Sequence, residues 1–136
     1  MDTKDDKRWR IFDEINQERV RQDAKWGEQN HPDVDPVLTG RVGGCTVTRM
    51  CEEVGCPTPT RARANLDGEA KLGRATWSLI AMEEFAEVIE AATIAAQGDN
   101  GTRPRRDAET RKELVQLAAV LVSWIEAHDR RAEEDR

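Results

Sequence analysis

Two acidic clusters stand inside segments that are otherwise apolar: Glu83-Glu84-Phe85-Ala86-Glu87 and Glu113-Leu114-Val115-Gln116. A carboxylate set into an apolar stripe without a partner costs several kcal/mol, so such groups are neutralised or paired. A divalent cation is a common partner. Hard oxygen donors suit Mg²⁺ or Mn²⁺, ions that keep several waters and engage phosphates. An ion held in this way neutralises phosphate charge and prepares water for in-line attack. Glu84 and Glu87 stand three residues apart, which places them side by side on a helix, and Glu113 and Gln116 repeat that spacing. The competing reading is of solvated glutamates paired along their own helix. It lacks support in the local sequence, where no Lys or Arg lies three or four residues from Glu84 or Glu87.

The elements needed to position these groups are helical, and no convincing strand is present. A first helix spans about 7–25, with Ile11, Ile15, Glu18, Gln22 and Trp26 on one face, and Gly27 ends it. Residues 34–60 are hard to read. Gly40, Gly43 and Gly44 break the pattern, 46–54 has the composition of a short helix, and Pro57 and Pro59 stop it. Thr60 is placed to cap a helix over about 61–72, with Gly73 as its stop.

The third major helix, about 75–97, carries Trp77, Ile80, Ala81, Glu84, Val88, Ala91 and Ala95 on one face, with Glu87 at its edge. Glu83, Glu90 and Gln97 are expected to face solvent. Gly98-Asp99-Asn100-Gly101 ends this helix. The basic linker that follows contains Arg103, Arg105 and Arg106 and leads to a last helix over about 108–128. In that helix Leu117, Val120 and Trp124 share the face of Glu113, while Val115, Ala119 and Val122 lie opposite. Apolar residues on both sides imply burial on both sides, hence an oligomer interface. If the last two helices pack antiparallel, Glu84, Glu87, Glu113 and Gln116 converge as a metal site.

Composition narrows the function classes. The 136 residues fit one domain, 38% of them hydrophobic and 35% charged, and the net charge of −6 argues against a nucleic-acid binder. No stretch is long and apolar enough for a membrane span, and the charged N-terminal segment has no secretory character. A cytoplasmic protein with Cys45, Cys51 and Cys56 as free thiols is the expectation. Zinc binding by these cysteines with His31 is disfavoured because the usual close Cys pair is missing.

The arrangement Glu84-x-x-Glu87, residues 88–112, then Glu113-x-x-Gln116 resembles the signature of the all-α nucleoside triphosphate pyrophosphohydrolases, the MazG-like, dimeric dUTPase and dCTP pyrophosphatase relatives. The run Ile80-Ala81-Met82 before the first motif and Leu117-Ala118-Ala119 after the second are similar too. Lys25-Trp26-Gly27-Glu28-Gln29-Asn30-His31-Pro32 looks like the Trp-x-Gln-x-His segment of the dCTP-cleaving members. The resemblance implies a MazG-like helical bundle, a homodimer or homotetramer, that cleaves a nucleoside triphosphate to monophosphate and pyrophosphate with Mg²⁺. It leaves out about 34–74, which reads as a helix-containing insertion between the first and third major helices.

Under this resemblance Glu84, Glu87, Glu113 and Gln116 are the metal and catalytic residues. Gln116 departs from the family's Asp, removing one negative charge of four. Trp26 and His31 are candidates to stack on and hydrogen-bond a nucleobase, against the alternative of a helix-end staple and a turn residue. Arg111 and Lys112, beside Glu113, are candidates to grip phosphates, better placed than Arg103, Arg105 and Arg106. Two other functions stay open: a nucleotide sensor without turnover, favoured by Gln116, and a helical interaction protein acting through 46–73.

Overall fold

The computed structural model describes residues 1–35, 46–97 and 103–135, and for 103–105 only the backbone. The described residues are all-α: α1 Lys4–Trp26, α2 Thr46–Val54, α3 Pro59–Lys71, α4 Trp77–Ala96 and α5 Arg103–Glu134. The glycines expected at 40, 43, 44, 98 and 101, and Cys45, lie outside the described residues.

Local sequence explains most of the helix ends. Thr3 opens α1 through a reciprocal capping box with Asp6. Gly27 closes it at φ 69°, a left-handed backbone that glycine adopts without steric cost, and its N–H donates to the Asp23 carbonyl. Two expected boundaries are corrected. Thr58, not Thr60, caps α3, and Pro59 begins that helix instead of stopping the previous one. Proline has no N–H to lose in the first turn, so its ring favours the start. In addition, the basic stretch 103–107 is the opening of α5, not a linker, and the helix continues to Glu134 instead of ending near 128.

By internal packing the chain falls into two compact units. One consists of residues 32–120. Its core is Val34, Met50, Cys51, Ile89 and Ala92, with Val47, Cys56, Phe85 and Ala96 packed around it. The segment read as an insertion therefore builds the core: α2 presents Met50 and Cys51 to the Ile89–Ala92 turn of α4. Both α2 and α3 pack on α4, so the helix that carries the first acidic motif is fixed from behind by residues 46–71.

Helix α4 also runs antiparallel to α5. The Arg106 guanidinium donates to the Ile94 carbonyl at 3.3 Å, and Glu87 and Glu113 line one hollow further along. The antiparallel expectation holds.

The other unit contains α1, the turn to His31, and α5 from Leu121 onward. Ile11 and Val122 are its buried apolar residues. Arg8 grips Glu126 with two N–H···O contacts at 3.3 and 3.4 Å, and Lys7 reaches Glu133 at 3.5 Å. Of the stripe expected on α1 only Ile11 is buried; Ile15 and Trp26 are exposed, as are Trp9, Phe12 and Val20. On α5, Leu114, Val115, Leu121 and Ile125 are exposed within the single chain. Among the described residues no helix is long and apolar enough to cross a membrane.

Candidate functional site

Of the four motif residues, Glu87 and Glu113 line one hollow between α4 and α5, whereas Glu84 and Gln116 do not. Thr76 caps α4, its hydroxyl accepting from the Leu79 N–H at 3.2 Å, and this sets the rotational phase of the helix. Glu84 and Glu87 are half-buried. Burial pushes the Glu84 carboxyl above its ordinary range, and the charges of Glu83, Glu87 and Glu113 add to the effect while Arg63 opposes it. Across the groove, burial raises Glu113 as well, followed by the charge of Glu87; Lys112 counters, and Glu109 and Glu90 contribute further repulsion. One Glu113 oxygen, Oε2, is buried without a hydrogen-bond partner. A buried acceptor left unpaired is rare and asks for a proton, a water or an ion.

A hollow of about 230 Å³ between the helices is lined by Glu87, Glu90, Ala91, Ile94, Arg106, Glu109 and Glu113. Its acidity exceeds what the motif alone foretold. Glu90 was expected to face solvent but is half-buried and lines the hollow, so that assignment is corrected. Glu83 is likewise half-buried. Glu83 is covered from α3, which packs on α4, and Glu90 faces the hollow shared with α5. From α3, Arg63 donates from Nε to Glu83 at 3.3 Å and from Nη2 to Glu87 at 2.5 Å. Sequence reasoning missed this residue, since no local pattern links Arg63 to carboxylates 20 and 24 positions away.

The remaining candidates are placed differently. Gln116 is exposed and does not line the hollow. Arg111 and Lys112 are exposed on α5. Arg106, ranked below them from sequence, is the basic residue in the hollow's wall. It is held there by the carbonyl it caps near the C-terminal end of α4, where a cation is favoured.

Trp26 and His31 belong to a second hollow, of about 1100 Å³ and broadly open, within the other compact unit. Arg19, Gln22, Asp23, Gly27, Glu28 and Gln29 complete its wall. Trp26 is 45% exposed, and the Lys25 ammonium sits 4.3 Å from its ring centroid. The ring therefore stands as an accessible face, not as a packed staple of the helix end.

Among the described residues, no three His, Cys, Asp or Glu side chains are arranged to enclose a metal ion. The chemistry of the donors nevertheless suits a hard dication: carboxylate oxygens from two helices, raised proton affinity on both sides, and an orphaned Glu113 oxygen. Cys51 is buried and Cys56 half-buried. Comparison of the chain with family models, curated proteins and solved structures returns no match.

Proposed function

We propose that this chain is a Mg²⁺-dependent nucleoside triphosphate pyrophosphohydrolase of the MazG-like all-α class, with Mn²⁺ as an alternative ion. The observation that carries this reading is the meeting of Glu87 and Glu113 from separate helices in one hollow, where one Glu113 oxygen has no partner. Burial and then the charge of Glu87 raise the proton affinity of Glu113, and burial and then the charges of Glu83, Glu87 and Glu113 raise that of Glu84. Excess negative charge held in a half-buried groove by a packed scaffold is unfavourable for stability alone, and a bound dication removes the penalty.

Glu84, Glu87 and Glu113 are the ligands in this proposal. An ion held by them would neutralise phosphate charge and acidify a water for attack on phosphorus, with pyrophosphate departing with the bonding electron pair. Arg106, at the groove wall, and Lys112, beside Glu113, stabilise phosphate oxygens. Trp26 and His31, within the other compact unit, are proposed by themselves as a stacking ring and a hydrogen-bonding imidazole for a nucleobase. The exposed apolar residues Leu114, Val115 and Leu121 are the surface of a homodimer or homotetramer.

The exposed, neutral Gln116 favours a second reading in which the nucleotide is bound and sensed without turnover. A chromatographic screen of ribo- and deoxyribonucleoside triphosphates, with Mg²⁺ or with EDTA, separates the two. The hydrolase releases monophosphate and pyrophosphate only with the metal, and Glu84→Gln abolishes the release. A sensor binds a triphosphate and returns it intact. Absence of both binding and cleavage across the screen rejects both readings.

A further inference from the structure

Arg63 is the residue for which the motif has no place. It projects from α3, outside the segments that resemble the pyrophosphohydrolases, and spans Glu83 and Glu87, one helical turn apart on α4. Its guanidinium is divided between two carboxylates. The arginine side chain is 60% exposed, whereas Glu83 and Glu87 are 18% and 25% exposed. The cation thus covers the acidic groups from their solvent side. Its root is fixed, because the adjacent Ala62 and the helix-initiating Pro59 are buried. Its head is free to swing through solvent.

We propose that Arg63 is a shared counter-ion, bound to Glu83 and Glu87 in the nucleotide-free protein and passed to the phosphates of a nucleoside triphosphate when that substrate binds. The inference rests on the pyrophosphohydrolase reading and adds to it a phosphate-binding residue from the 34–74 segment. Three properties carry it. The forked guanidinium fits phosphate oxygens as well as it fits carboxylates. Solvent-exposed ion pairs are weak, so releasing this one costs little. And Glu87 cannot serve a dication fully while it serves Arg63. Release of Glu87 and capture of phosphate by Arg63 are then one exchange of partners, in which each charge keeps a counter-charge throughout. A lysine carries a single ammonium group and cannot hold two phosphate oxygens in the same forked manner.

The test uses the full chain as wild type, Arg63→Ala and Arg63→Lys. Mn²⁺ binding is followed by electron paramagnetic resonance, and binding of inorganic triphosphate in saturating Mn²⁺ by calorimetry. Without phosphate, Arg63→Ala should bind Mn²⁺ as tightly as wild type or several-fold tighter, because a competing cation is gone. Its triphosphate affinity should fall about tenfold or more, the scale of lost charge-assisted hydrogen bonds, with Arg63→Lys between the two. Unchanged triphosphate affinity in Arg63→Ala overturns the proposal while leaving the pyrophosphohydrolase reading intact. Loss of Mn²⁺ binding in Arg63→Ala also overturns it, since Arg63 would then be holding the carboxylates in place for the ion. A wild-type protein that binds neither Mn²⁺ nor triphosphate rejects the underlying reading and this inference together.

Discussion

The groove between α4 and α5 and the hollow at the end of α1 hold their polar groups in opposite ways. In the groove, clustered carboxylates outnumber the guanidinium groups of Arg63 and Arg106, burial and like charges raise the proton affinity of Glu84 and Glu113, and an acceptor goes without a partner. In the hollow, opposite charges are matched: Arg19 pairs with Asp23 at 2.7 Å, Lys25 covers the Trp26 ring, and Trp26 and His31 are exposed. The difference also extends to the support behind them. The groove is backed by the Met50–Ile89 core, whereas the hollow is formed by one helix end and a turn. A region that is satisfied as it stands can offer a face to a ligand without depending on it. Under the proposed function the ion would go to the groove and the base to the hollow.

Removing the groove's support should produce the largest change. Met50 is fully buried, and Met50→Ala should cost about 2–5 kcal/mol, measured as a lowered urea midpoint. Activity should fall with the folded fraction, and a variant as stable as wild type would mean that α2 does not hold α4. Next, Glu84→Gln should reduce pyrophosphate release by roughly 10²–10³, the scale of losing one electrostatic anchor of a transition state. If Glu84→Gln keeps more than a tenth of wild-type turnover, the groove is not the centre of the chemistry.

Trp26→Ala sharpens the other side of the comparison. Loss of a stacking face is worth about 1–3 kcal/mol per base, so nucleotide affinity should weaken about tenfold while the melting temperature stays put. The same variant should bind inorganic triphosphate normally, and an equal loss for both ligands would refute base stacking.

The smallest effect concerns pH. Burial and like charges raise Glu84 and Glu113, so folding favours their protonated forms. Their contribution to stability is therefore greatest below the ordinary glutamate range and is lost as pH climbs through the raised folded values. In EDTA near neutral pH, Glu84→Gln should thus be more stable than wild type, by a few tenths of a kcal/mol, the scale of a like-charge contact on a helix. The gain should vanish on acidification toward about pH 4. Thermal melts across this range check it, and a destabilised Glu84→Gln at neutral pH would show that the carboxylate is already compensated.

The helices were largely legible in the sequence because their caps and periodicity are local. Gly27 and the helical period of 75–97 each act within a turn or two of themselves, but of the face read on that helix only Val88 and Ala95 are buried, the rest of the buried set being Ala86, Ile89, Ala92 and Thr93. Of the motif residues, Glu87 and Glu113 meet in one hollow, while Glu84 and Gln116 do not line it. What escaped notice was non-local. The half-burial of Glu83 goes with α3, that of Glu90 with the hollow shared with α5, and the partnership of Arg63 joins residues 20 or more positions apart. The core role of Met50 and Cys51 was hidden for a similar reason: a short helix among glycines and prolines shows no long periodicity, yet one turn suffices to fill a gap beside Ile89 and Ala92. Pro59 misled because proline ends a helix from within and begins one from its first turn.

The most direct test is the anomalous difference map of a crystal grown with Mn²⁺ at neutral pH. A single strong peak within coordination distance of carboxylate oxygens of Glu84, Glu87 and Glu113, and gone in Glu84→Gln, is the expected result. A groove without a peak in an otherwise well-ordered crystal, with Arg63 still seated on Glu83 and Glu87, would contradict the metal centre on which the proposed function stands.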